Sequence, residues 1–269
     1  DSIMAPVQPA VEAAIPTLLE TLQTTFADLD LHFLVTNGNY DVWGITGCFE
    51  QCDLNDDQGC APLGPPDYPC DAYTPGVLEL CDKEFGAGVT FPAGFGAANQ
   101  RCLLAGDRRY LKSGDLNFEE AYACVTDLGI IAHSGARPAS AMQHAVTLEL
   151  NNDCNAGFLR DDAMLFVVMI EGGGSNVNTD GPEVWTDALL AAKHGNPDAF
   201  VVLAVTTDVA EKVSVCNPDG GSGTPTPIIA FVEGLEHGLW GSVCEDDYTP
   251  FITAAADLVV EVCDSFIPM

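Results

Sequence analysis

The sequence predicts an α/β protein: a doubly wound, mainly parallel sheet flanked by helices and interrupted by a disulfide-rich loop excursion. Three observations predict it. First, residues 164–170 and 199–205 are two runs without a polar side chain. A parallel strand covered on both faces reads as such a continuous run, whereas a half-exposed strand alternates. Second, stretches with helical apolar spacing precede, separate and follow these runs, and strands alternating with helices imply parallel strands joined by crossovers. Third, five of the eleven cysteines crowd between Cys48 and Cys81 among Pro, Gly and Asp, which sets residues 40–115 apart from the periodic remainder.

The elements follow in order. Val7, Val11, Ile15, Leu18, Leu19, Leu22, Phe26 and Leu29 recur at helical spacing, with Pro16 placed to bend the element. Residues 32–36 read as a short buried strand closed by Asn37-Gly38-Asn39, and His32 as a satisfied strand-edge residue. The excursion over 40–115 contains Pro65-Pro66-Asp67-Tyr68-Pro69. A loop of that length in a compact domain is functional or stapled, and its cysteines mark this one as stapled. Helices are expected over 118–128 and 138–150. A strand inside 162–170 is long and apolar enough to be central in the sheet. A helix over 183–193 is stopped by His194-Gly195-Asn196-Pro197, a buried strand spans 199–205, and helices follow near 227–237 and 249–263. This is one domain over 1–269, with 40–115 as a cysteine-rich insertion within it.

Composition narrows the function classes. Hydrophobic content of 47% with 18% charged residues belongs to a folded chain. Forty acidic against nine basic residues give a formal charge of −31. That surface repels phosphate backbones and anionic headgroups, so nucleic acid is excluded as a partner, while cations, basic partners or a salty medium suit it. No run reaches the 18 or so apolar residues of a membrane span, so no membrane insertion is expected. Eleven cysteines point to disulfides in an exported protein, secreted or at a cell surface. The intervals between the clustered cysteines lack the paired C-x2-C knuckles of structural zinc. An odd number leaves at least one thiol free, buried or paired with another chain.

In an open parallel sheet, ligands sit outside the carboxyl ends of the strands. Three segments meet that description: Asp1-Ser2 ahead of the first helix, His133-Ser134-Gly135 before the helix at 138, and Glu171-Gly172-Gly173-Gly174-Ser175-Asn176 after the strand at 164–170. Together with Asp1-Ser2-Ile3-Met4-Ala5-Pro6, Phe158-Leu159-Arg160-Asp161-Asp162-Ala163 and the closing Gly241-Ser242-Val243-Cys244-Glu245-Asp246-Asp247-Tyr248-Thr249-Pro250, these residues give the chain a resemblance to von Willebrand factor A-type domains, in particular a bacterial exported subgroup. The resemblance covers roughly residues 1–36 and 117–264 and leaves out the cysteine-rich excursion.

What the resemblance implies is a metal-ion-dependent adhesion site, in which hydroxyls, carboxylates and water hold a hard divalent cation and leave one position for a partner's carboxylate. By position, Ser2 is a coordinating hydroxyl and Ser134 stands for the usual threonine. The leading Asp of the family's loop would lie before Asp1, and the Asp after the central strand is replaced by Glu171 or Gly172. The implied site is therefore a degenerate one of Asp1, Ser2, Ser134 and Glu171, either holding Ca or Mg or metal-free. The family's opening strand is also missing ahead of Asp1. Either the sequence is incomplete at its start, or the sheet is completed by strand addition from another chain.

A second cation candidate is Asp53-Leu54-Asn55-Asp56-Asp57, where Asp53, Asn55 and Asp57 offer oxygens at alternate positions between Cys52 and Cys60. With Gly59 at loop position seven and Gly64 at position twelve it is no EF-hand, and a plain acidic turn is the alternative. For a hydrolase, Ser134, Ser175, Ser222 and Ser242 are nucleophile candidates and His133, His144, His194 and His237 base candidates. No serine lies in a Gly-x-Ser-x-Gly elbow. His194 is expected to meet carbonyls at its helix stop, and Asp161 and Asp246 to act as caps. The expectation is an extracellular or cell-surface binding and adhesion module, not an enzyme, whose partner is another protein or further copies of itself in a homo-oligomer. A polymeric surface subunit is the first alternative and a secreted hydrolase the weaker one.

Overall fold

The structure is a computed structural model that describes residues 8–27, 29–38, 50–51, 61–62, 79–92, 97–129, 137–172, 180–208, 213–220 and 226–266. It is a mixed α/β protein with a three-stranded parallel sheet flanked by helices. The strands are β5 (Leu165–Ile170), β6 (Phe200–Thr206) and β7 (Gly238–Ser242), in that spatial order. Register is continuous: Leu165 pairs with Phe200, and Val202 with Gly238. Two short antiparallel pairs lie outside it, β1 (His32–Phe33) with β4 (Leu111–Lys112) and β2 (Glu50–Gln51) with β3 (Ala61–Pro62).

Strand β6 explains why an unbroken apolar run was needed. Every residue from Phe200 to Thr206 is buried. Phe200, Val202 and Ala204 enter one cluster with Ala139, Met142, Trp185, Leu189, Ile228, Phe231 and Val232. Those partners come from α3 (Pro138–Ala145), α5 (Pro182–Ala192) and α6 (Pro227–Glu233). Val201, Leu203 and Val205 point the other way, toward Ala14 and Phe26 and toward Tyr248, Ile252, Ala255, Val259 and Val262. These belong to α1 (Gln8–Thr25), the turn after it, and α7 (Thr249–Ser265) with its entry. The period of two along the strand sorts its side chains into two apolar layers. Among the described strands the central position belongs to β6, and the run at 165–170, expected to be central, flanks it.

Several boundaries differ from expectation for local reasons. Helix α1 runs through Pro16. The expected helix over 138–150 is two, because Thr147 takes an extended conformation and its Oγ1 accepts from Leu150 N–H, opening α4 (Leu148–Asn151) as an N-cap. Among the described residues the strand expected over 32–36 pairs with β4 at His32 and Phe33, and the Val35 carbonyl accepts from Val89 N–H at 2.8 Å. The expected helix over 227–237 ends at Glu233, and β7, which the sequence reading lacks, follows at once.

The described part of the cysteine-rich insertion is anchored to the rest. Cys81 is bonded to Cys154 and Cys102 to Cys124. Strand β4 leads to α2 (Phe118–Thr126), whose Phe118, Ala121, Tyr122 and Val125 form a separate cluster with Leu111 and Cys102. Phe33 joins that cluster to the main core, edge-on to Phe118 at 5.1 Å and packed with Phe166 and Val201. His32 is held as a strand-edge residue: its Nδ1 lies 3.2 Å from the Phe158 carbonyl, its ring packs on Tyr110, and burial lowers its pKa.

Candidate functional site at the carboxyl edge of the sheet

On one face of the sheet the last apolar row is Met169, Ala204 and Trp240, and Ile170, Val205 and Gly241 follow it on the other face. The next row on the same register brings Glu171, Thr206 and Ser242 side by side, with the Glu171 N–H donating to the Val205 carbonyl at 2.9 Å. All three are nearly sealed from solvent, at 3%, 0% and 6% exposure. Three oxygen-bearing side chains thus replace apolar ones where the strands end, in the place where open parallel sheets bind ligands. Thr206 Oγ1 has no hydrogen-bond partner among the described residues.

The frame around the row is cross-linked by hydrogen bonds and a disulfide. Asp208 is buried and its carboxylate accepts from the N–H groups of Val215 and Cys216 at 3.0 and 2.9 Å, closing the loop after β6. The disulfide Cys216–Cys244 fastens that loop to the chain leaving β7. Ser242 Oγ accepts from Cys244 N–H at 3.2 Å and donates toward the Cys216 sulfur at 3.5 Å. Val243 N–H adds a rung to the Thr206 carbonyl, and Tyr248 OH donates to the Val243 carbonyl at 2.6 Å. Asp208 is therefore spent on backbone donors, while a carboxylate and a hydroxyl, as at Glu171 and Thr206, are oxygen donors of the kind a hard cation takes.

Of the site residues read from sequence, Glu171 lies in this row. Asp1, Ser2 and Ser134, its expected companions, lie outside the described residues, as do Asp53, Asn55 and Asp57 of the acidic loop. The sequence reading missed Thr206 and Asp208; the switch from an apolar run to Thr206-Thr207-Asp208 was the signal that could have found them. Ser242 is present, but as a hydrogen-bonded strand end rather than beside a histidine. Of the base candidates, His144 packs on Phe85, while His194 and His237 bond to Asp161 and Asp198, each at 2.9 Å. His194 thus takes a carboxylate where helix-end carbonyls were expected, and Asp161 answers it rather than capping. The first turn of α7 is capped by Asp247 rather than Asp246, with Asp247 Oδ1 accepting from Thr249 N–H. No helix among the described residues is long and apolar enough to cross a membrane. No family model, no curated protein and no solved structure matches this chain.

Proposed function

We propose that the chain is an extracellular or cell-surface binding module of von Willebrand A type, whose ligand edge is the carboxyl end of the sheet and which holds a Ca or Mg ion there. The observation that carries the reading is the buried row of Glu171, Thr206 and Ser242. Helices on both faces of the sheet support the fold assignment, and three disulfides among the described residues support export. The partner is a protein that supplies a carboxylate to the cation. Calorimetric titration of CaCl2 or MgCl2 in 150 mM NaCl tests the reading. One cation should bind, E171Q should lose it, and T206V should weaken it several-fold. Equal binding by E171Q, or no binding by the wild type, sinks it.

A second reading rests on a separate observation. Strand β5 pairs with β6, and its other edge pairs with no strand among the described residues. A strand from another copy would satisfy those backbone groups and make the chain a subunit of a homopolymer. Light scattering across a hundred-fold concentration range separates the two: growth in mass supports assembly, and a constant monomer mass removes it.

A further inference from the structure

The opposite, amino-terminal end of the sheet carries a second set of donors, roughly 25 Å along β6 from Thr206 at strand rise. Asp198 lies in the 3-10 turn Pro197–Ala199 that feeds β6, and its N–H is held by Asn196 Oδ1 at 3.0 Å. His237 immediately precedes β7, and its carbonyl accepts from Val202 N–H at 3.0 Å. The fold therefore fixes both backbones and brings the side chains together, with His237 Nε2 at 2.9 Å from Asp198 Oδ1. Glu236 stands beside them, and the donor atoms of all three lie within 4.8 Å of one another. The imidazole is mostly buried, at 17% side-chain exposure, while the Asp198 carboxylate, at 50%, faces water.

We propose that Asp198, Glu236 and His237 form a binding site for a first-row divalent cation of the zinc class, completed by water. The imidazole decides the class: carboxylates alone suit Mg and Ca, whereas a nitrogen donor turns the preference toward Zn, Ni and Cu. Zinc bonds of about 2.0–2.2 Å place tetrahedral donors about 3.3 Å apart. The His237–Asp198 pair already stands near that spacing. Exposed Glu236, with a donor atom within 4.8 Å of both, closes the set at the cost of ordering one side chain. The cation takes the place of the proton between Nε2 and Asp198 Oδ1: that proton passes to Nδ1 or to solvent, and the Nε2 lone pair becomes the ligand. The site is independent of the Glu171 row and of its cation.

Zinc titration tests it on the oxidised protein, in 150 mM NaCl and with Cys263 alkylated. The wild type should bind zinc at this site, with the order Cu above Zn above Co above Mn and no competition from equimolar Mg. E236Q, at an exposed position, should keep the fold and weaken binding several-fold. H237Q should weaken it about ten-fold or more, the scale on which even ligand-supporting groups act. H194Q is the control: His194 and Asp161 also meet at 2.9 Å on the surface but belong to no such three-donor group among the described residues. It should bind as the wild type does. Zinc binding unchanged in both E236Q and H237Q, equal loss in H194Q, effective competition by Mg, or no zinc uptake each overturns the proposal and leaves the His237–Asp198 contact as a tie between two turns.

Discussion

At the residue scale the insertion is governed by one carboxylate. Asp82 is 5% exposed and accepts from Arg101 at 2.6 and 2.9 Å, Arg109 at 2.7 Å, Thr90 Oγ1 at 3.0 Å and the Glu79 N–H at 2.9 Å. Burial by itself pushes its pKa up, but the two guanidiniums and the backbone donor outweigh burial and hold it at about 2, against an ordinary 3.8. Because the folded value is the lower one, the stabilisation is complete above the ordinary pKa and is lost as pH falls through about 2. Its size is about 2 kcal/mol. We predict that urea denaturation of the wild type shows this loss between pH 4 and pH 2, and that D82N lacks it. At pH 7 D82N should be less stable by about 2–3 kcal/mol, since it removes the buried counter-charge of the 8% exposed Arg109 side chain and leaves only the exposed Glu79 carboxylate, at 3.3 Å, to answer it. A D82N protein as stable as the wild type would dismiss the carboxylate as the insertion's anchor. None of this was legible in the sequence, because positions 82, 101 and 109 share no periodicity and meet only through the fold.

At the scale of elements, legibility followed burial. Strands β5 and β6 were readable because their apolar runs have no other use, and most of the helices because one face of each is apolar at its own period. Strand β7 was not, because Gly238-Leu239-Trp240-Gly241-Ser242 carries two glycines, which are poor strand formers. Both are required by close approach. A Cβ on Gly238 would lie 2.0 Å from the Val232 carbonyl oxygen, and one on Gly241 would lie 2.5 Å from the Phe251 ring. Val232 is in the last turn of α6 and Gly238 starts β7, so this glycine sets the helix-to-strand return. G238A should therefore cost about 3 kcal/mol as overpacking against backbone, read as a lowered denaturation midpoint at unchanged slope. Pairing of cysteines was equally beyond sequence reasoning, since spacing leaves connectivity open. Structure gives Cys216–Cys244 a local role at the candidate edge. Its loop of 28 residues predicts a loss of about 3.5 kcal/mol for C216A/C244A. Hydrogen exchange should localise part of that loss: the amides of Val215, Cys216 and Cys244 should lose protection while the β5–β6 ladder keeps its own. Uniform loss across the sheet would show that the bond serves the whole core instead.

For the whole molecule the dominant quantity is charge. Nine basic residues stand against forty acidic ones, and the arginines are used locally: Arg101 and Arg109 on Asp82, Arg108 on Asp115, Arg160 on Asp30. Lys193 is buried with its Nζ donating to the carbonyls of Arg160 and Ala163, and burial lowers its pKa, so it neutralises little of the surface. The acidic remainder repels itself, and that repulsion is larger in the compact state than in an expanded chain. Screening shortens from about 30 Å at 10 mM salt to about 3 Å at 1 M, so NaCl over that range should stabilise the protein, by about 1–2 kcal/mol or a few degrees in Tm. The few exposed ion pairs lose strength over the same range, but each contributes under about 1 kcal/mol, too little to reverse the sign. The same curve separates screening from site binding. At matched ionic strength, an excess stabilisation by MgCl2 or CaCl2 over NaCl reports divalent association, at a site or with the acidic surface. Under the proposed function that excess disappears in E171Q while the NaCl response stays. An excess that survives E171Q would assign the divalent effect to the acidic surface at large, and the Glu171 row would then be a buried polar edge without a cation.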